Sequence, residues 1–108
     1  MTHSRRKGAT YEREVGKHLT RVLEHRYEAL NRSGFDGADG KIDNDISVEM
    51  KNQKTMNLAG WLDQAWEQSE GKLPIVIHKR RGKSDIGQHY VTMDVATFLE
   101  LVKHRAPF

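Results

Sequence analysis

Ile46-Ser47-Val48-Glu49-Met50-Lys51 is the stretch on which the reading of this chain turns. Side chains of a strand alternate between faces, so Ile46, Val48 and Met50 are predicted to enter a core while Ser47, Glu49 and Lys51 line the opposite face. A carboxylate and an ammonium two residues apart on one strand face are held on a rigid element. That pair suits a Mg2+ ligand beside a cation able to orient water or stabilise charge at phosphorus. Glu-X-Lys alone is a short motif, and an exposed strand with one favourable charge pair would look the same. The neighbouring segments decide between the two.

Upstream, Asp43-Asn44-Asp45 has the composition of a hairpin turn, and the Gly- and Asp-rich stretch 33–41 must bend. Residues 27–32 read as a short strand before that bend. Residues 8–26 read as a helix, with Thr10 as its cap, acids in its first turn, and Tyr11, Val15, Leu19, Val22 and Leu23 on one face. Downstream, Asn57 caps a second helix on which Leu58, Trp61, Leu62, Ala65 and Trp66 recur at helical spacing. Pro74-Ile75-Val76-Ile77 is the core of a strand spanning 73–78, and 89–93 is another. A last helix carries Val95, Phe98, Leu99 and Val102 at the same spacing. The order α-β-β-β-α-β-β-α predicts an α/β domain: one central mixed β-sheet flanked by helices, within residues 1–108.

One carboxylate holds Mg2+ poorly, so a second is expected near Glu49. A strand running into a tight turn and back places Asp39 across a hairpin from Glu49, which makes Asp39 the first choice and Asp36 the reserve. Asp43 and Asp45 lie too near the turn and read as turn formers. The first helix adds a third candidate. At about 100° per residue from Tyr11, the apolar stripe falls between roughly 20° and 120°, Glu12 at about 100° and Glu14 near 300°. A carboxylate inside a buried stripe is costly unless it is paired or bound to a cation. Glu12 is therefore singled out and Glu14 is not, although a frayed first turn would also let Glu12 reach water.

With 36% hydrophobic and 31% charged residues, the chain has the balance of a soluble globular domain. It has no cysteine, which excludes disulfides and thiolate metal sites and suits a reducing, intracellular, cytoplasmic setting. Residues 1–7 are basic and polar, unlike a signal peptide, and no run approaches the ~20 apolar residues of a membrane span. Net charge is +3, and basic residues cluster at Arg5-Arg6-Lys7 and at His78-Lys79-Arg80-Arg81-Gly82-Lys83. Such clusters fit nucleic acid, though solvated loops share their composition. His3, His18, His25, His78, His89 and His104 match no zinc or His-Asn-His spacing and are expected at the surface. No Walker-type loop is present. Trp61 and Trp66 are expected in the core or a dimer contact rather than as base-stacking platforms.

Lys7-Gly8-Ala9-Thr10-Tyr11-Glu12-Arg13-Glu14 resembles the opening of archaeal and phage Holliday-junction resolvases of the PD-(D/E)XK nuclease superfamily. Arg32-Ser33-Gly34, an Asp in a Gly-rich bend and Val48-Glu49-Met50-Lys51 keep that family's order. The run from Glu49 to Leu58-Ala59-Gly60-Trp61, with Tyr90-Val91-Thr92-Met93, resembles small phage nucleases of the same superfamily. The resemblance spans nearly the whole chain, and it departs from the pattern where no Pro-Asp or Val-Asp dipeptide marks the middle ligand. It implies the PD-(D/E)XK fold, Mg2+-dependent phosphodiester hydrolysis (Mn2+ as a substitute), four-way DNA junctions as substrate and a homodimer. Glu12, Asp39 and Glu49 would then form the metal-binding cluster and Lys51 the catalytic lysine. Arg13 and Arg32 would contact phosphate, joined by Arg5, Arg6, Lys7, Lys79, Arg80, Arg81 and Lys83. Two rival expectations are a restriction or nicking endonuclease of the same fold and a DNA-binding module without catalysis.

Overall fold

The structure, a computed structural model, describes residues 3–30 and 37–104, with residues 3–6 described by backbone alone. Arg32 and Asp36 lie outside the described residues. Eight regular elements follow the expected order: α1 (His3–Leu23), β1 (Tyr27–Ala29), β2 (Gly40–Ile42), β3 (Ile46–Lys51), α2 (Leu58–Gln68), β4 (Leu73–His78), β5 (Tyr90–Thr92) and α3 (Val95–Lys103). The strands form one five-stranded sheet in chain order, antiparallel except where β3 and β4 run parallel. A parallel pair needs a crossover, and the segment carrying α2 provides it. Among the described residues no helix is long and apolar enough to cross a membrane.

The sheet is covered on both faces. Tyr11 and Val15 of α1 pack on Val48, Met50, Ile75 and Ile77, while Trp61 and Ala65 of α2 pack on Val76 from the other side. Ile46, Val48 and Met50 take the expected core face. The opposite face is not a solvated one, because Ser47 and Glu49 are buried as well. Lys51 is held beneath α2 by its bond to Gln64.

Several boundaries move. α1 begins at His3 rather than at residue 8, so its first turn is not acidic and Thr10 lies inside the helix. Lys and Arg are good helix formers, and a single Gly8 costs only about 1 kcal/mol relative to Ala. A 3-10 turn at Glu24–Arg26 closes the helix. Gly40 and Lys41, read as part of a bend, instead pair with Val48 and Ser47 on one side and with Ala29 and Glu28 on the other. The hairpin turn is where it was expected: Asp43 and Asn44 have φ of 55° and 66°, and the Asp45 N–H donates to the Ile42 carbonyl at 3.2 Å. Positive φ at both central residues is the geometry that suits the strand twist in a two-residue loop.

α3 departs most from its sequence pattern. Thr97 is 1% exposed against the sheet, while Val95, Phe98, Leu99 and Val102 are 73%, 55%, 51% and 47% exposed. The apolar stripe of this helix faces outward.

Candidate active site

The turn at 43–45 sets the register that builds the site. Gly40 opposes Val48 in the antiparallel pair, so one step further out Asp39 comes alongside Glu49. The Asp39 N–H donates to the Val48 carbonyl at 3.0 Å, and its Oδ2 accepts the Met50 N–H at 2.8 Å. A carboxylate fixed by backbone amides at both ends of its residue has little freedom to turn. Gly40 allows this approach, because a Cβ there would meet the Tyr27 hydroxyl at 2.5 Å and its ring at 2.6 Å. Tyr27 is buried across the strand and closes that side of the site.

Glu12 reaches the same place from α1. Its carboxyl is hydrogen-bonded to that of Asp39 and is pushed up to about 7, first by burial and then by the Asp39 charge, against the pull of Lys51 and Arg13. Two carboxyls in such a bond share a proton. Glu49 is pushed up to about 8, again by burial first, then by the Asp39 charge, with Lys51 opposing and Glu12 adding to the rise. Its Oε1 lies 3.6 Å from Lys51 Nζ, and its Oε2 is closed off from solvent without a hydrogen-bond partner. Lys51 Nζ also donates to Gln64 Oε1 at 2.7 Å.

A polar cavity of about 600 Å3 joins these groups. Glu12, Asp39, Glu49 and Lys51 line it together with Lys7, and carboxamides of Asn52, Gln53, Gln64 and Gln68 complete its wall. The four residues singled out as catalytic from the sequence are thus brought to one cavity. They are within electrostatic reach of one another but not gathered about one point. Among the described residues no three His, Asp or Glu side chains converge as a metal site would require. In this conformation Glu12 shares its proton with Asp39 while Glu49 turns to Lys51. The donor set nonetheless fits a hard cation. It is all oxygen, partly buried, mutually repulsive, and it holds one carboxylate oxygen with no donor.

Asp43 and Asp45 stay out of the cavity. Asp43 forms a two-pronged ion pair with Arg26, which holds its carboxyl below the usual range. Of the basic residues, Lys7 lines the cavity, Arg13 is exposed beside it, Arg5 and Arg6 lie in the first turns of α1, and Lys79, Arg80, Arg81 and Lys83 belong to the β4–β5 connection. Arg80 stacks on the Tyr90 ring, 5.4 Å from its centre. His78 overturns the expectation that all the histidines are superficial. It is buried between Trp61 and Tyr90, its Nε2 lies 2.7 Å from Thr92 Oγ1, and burial lowers its pKa, so it is neutral. Trp61 is a core residue, whereas Trp66 is half exposed and donates to Asp94 Oδ2 at 2.8 Å.

Gln64 and Gln68 escaped the sequence reading. They sit three and seven residues after Trp61, on the flank of its apolar stripe. At about 100° per residue from Trp61, Gln64 falls near 300° and Gln68 near 340°, outside the apolar stripe, so the helical phase that singled out Glu12 does not select them. Compared with protein-family models, with curated proteins and with solved structures, the chain matches none.

Proposed function

We propose that this chain is a Mg2+-dependent endodeoxyribonuclease of the PD-(D/E)XK type that cuts four-way DNA junctions by phosphodiester hydrolysis, acting as a homodimer. The observation that carries the reading is the buried Glu49 with its donorless oxygen, two residues from a lysine fixed by Gln64, in a cavity shared with Asp39 and Glu12. An isolated buried carboxylate is costly, and a cation together with a phosphate is what this cluster is short of. The mixed sheet with helices on both faces accords with the fold that the sequence resemblance implies.

Glu12, Asp39 and Glu49 would hold Mg2+, or Mn2+ in its place, and the ion would supply Lewis-acid stabilisation of charge at the scissile phosphate. Lys51 Nζ, bonded to Gln64 Oε1 and 3.6 Å from Glu49 Oε1, would meet the attacking water or a phosphate oxygen from a fixed position. Gln64 fixes where that donor points. Water oxygen bonds to phosphorus, the ester P–O bond breaks, and the departing oxygen takes a proton. With Glu12 engaged by the ion, that proton would come from solvent. Lys7, which lines the cavity, would meet the phosphate chain.

The test is cleavage of a four-way junction and of a matched linear duplex, with Mg2+ and with chelator. Junction cutting that needs Mg2+ and outpaces duplex cutting is expected. Equal cutting of both substrates would move the chain to the restriction or nicking type, and binding without any Mg2+-dependent cleavage would leave a DNA-binding module.

A further inference from the structure

Arg13, Lys17 and Arg21 recur every four residues along α1, so they form one ridge stepping about 6 Å at a time over roughly 12 Å. All three are exposed. Two grooves flank this ridge. The first, about 670 Å3, is lined by Arg13, Lys17 and Arg21 along its rim, has a floor that includes the small residues Gly16 and Ala29, and opens onto Glu12 and Asp39 of the candidate site. The second, about 560 Å3, shares Lys17 and Arg21 and has Lys79 and Lys83 of the β4–β5 connection on its far wall. Two carboxylates, Glu14 and Asp85, also line the second groove.

Like Lys7, Lys54, Lys72, Arg80 and Arg81, these cations carry no ion pair among the described residues; what distinguishes them is their alignment along two grooves. Elsewhere Arg26 pairs with Asp43, Lys41 with Glu28 and Lys103 with Glu100. Among the described residues Arg13, Lys17, Arg21, Lys79 and Lys83 form no ion pair, even though Glu14 and Asp85 are close by. Arg13 contacts Thr10 Oγ1 and Arg21 contacts His18 Nδ1, so two of the three ridge residues are oriented by neutral partners and keep their full charge. Three cations spread over two helical turns exceed what a single small anion can neutralise. They suit a chain of phosphates.

We infer that the outer ridge of α1, Arg13-Lys17-Arg21, is a phosphate-binding surface that carries the sugar–phosphate backbone of the substrate from the candidate cleavage centre toward Lys79 and Lys83. The inference rests on the nuclease reading and extends it, since Lys17 and Arg21 belong to neither basic cluster of the sequence. The apolar floor of the first groove lies beneath the sugars, and the rim takes the phosphates. Lys17 and Arg21 act on binding, not on the chemical step.

The experiment compares wild type, the Lys17→Glu/Arg21→Glu double variant and Lys72→Glu, a charge reversal in none of the three cavities. Junction affinity is measured across a salt series in chelator, and cleavage in Mg2+ is followed separately. The double variant is expected to lose at least about tenfold in affinity, to flatten the plot of log affinity against log salt by roughly 1 to 2, and to keep its cleavage rate at saturating junction. Both residues are exposed, so unchanged thermal unfolding is expected. An unaltered salt slope in the double variant, with wild type still binding and cutting, overturns the ridge and leaves the nuclease reading intact. So does an equal loss in Lys72→Glu, which would reduce the effect to net charge. A wild-type chain with no salt-sensitive DNA binding overturns the nuclease reading itself.

Discussion

Glu49 and Glu12 are held at about 8 and about 7, against an ordinary value of 4.5 for both. A carboxyl whose folded pKa is raised stabilises the fold in its protonated form. That contribution is complete below the unfolded value and is lost as pH rises through the folded one. Thermal stability without added metal should therefore fall between about pH 4.5 and pH 8. Glu49→Gln should remove much of the fall and raise the melting temperature near pH 8 on the order of 5 °C, at the expense of activity. Melting curves at several pH values check this, and a flat wild-type profile would contradict the buried carboxyl pair. Added Mg2+ should raise the melting temperature more near pH 8 than near pH 5, because protons and the cation compete for the same oxygens. The two neighbouring glutamates on α1 divide just as sharply. Glu12→Gln should cut Mg2+-dependent cleavage by about a hundredfold, because it removes a carboxylate from the proposed cation site, whereas Glu14→Gln should leave it within a fewfold. Equal losses would mean that the phase of the helix is wrong.

At the scale of elements, what could be read in advance was whatever periodicity controls. The faces of β3, the turn at 43–45 and the placing of Glu12, Asp39, Glu49 and Lys51 on one cavity all follow from alternation, turn chemistry and helical phase. What escaped depended on contacts distant in sequence. Gly40 looked like part of a bend because its pairing with Val48 is invisible locally. Gln64 gave no local sign of its bond to Lys51 across 13 positions. His78 is polar and follows an apolar run, and only Trp61, Tyr90 and Thr92, brought in by α2 and β5, bury it. The β1–β2 pair supplies a direct test. Gly40→Ala forces a methyl group against the Tyr27 ring, which should cost about 1–3 kcal/mol and shift Asp39 from its bond with the Met50 N–H. Denaturant unfolding and the cleavage rate should then fall together. Tyr27→Leu in the same chain, by relieving the crowding, should recover part of both.

At the scale of the whole molecule, α3 is the element whose apolar stripe stays exposed among the described residues. Taking Thr97 as the point facing the sheet, Phe98, Val102, Val95 and Leu99 fall between about 100° and 200° around the helix. Its most apolar side is thus turned to solvent, with the half-exposed Trp66 tied to its head through Asp94. These five side chains expose on the order of 500 Å2, at the upper end of what a monomer leaves uncovered and a large part of the roughly 800 Å2 that each partner of a stable interface contributes. The homodimer proposed above would cover them with a second copy. Beside the stripe, Glu100 is already paired within the chain with Lys103 and His104. The proposed reaction asks for such a dimer, because opposed strands of a junction are met by two sites related by a two-fold axis. Trp61, sealed in the core, is no part of such a seam. Sedimentation at micromolar concentration without DNA should show a species of twice the chain mass, and Phe98→Asp/Leu99→Asp should reduce it to a monomer that remains folded. That monomer should nick single strands and fail to resolve junctions. A wild-type chain that sediments as a monomer and cuts one strand per binding event would remove the dimer and the junction specificity together. Glu12, Asp39, Glu49 and Lys51 all lie within one copy, so the hydrolytic site would survive that result.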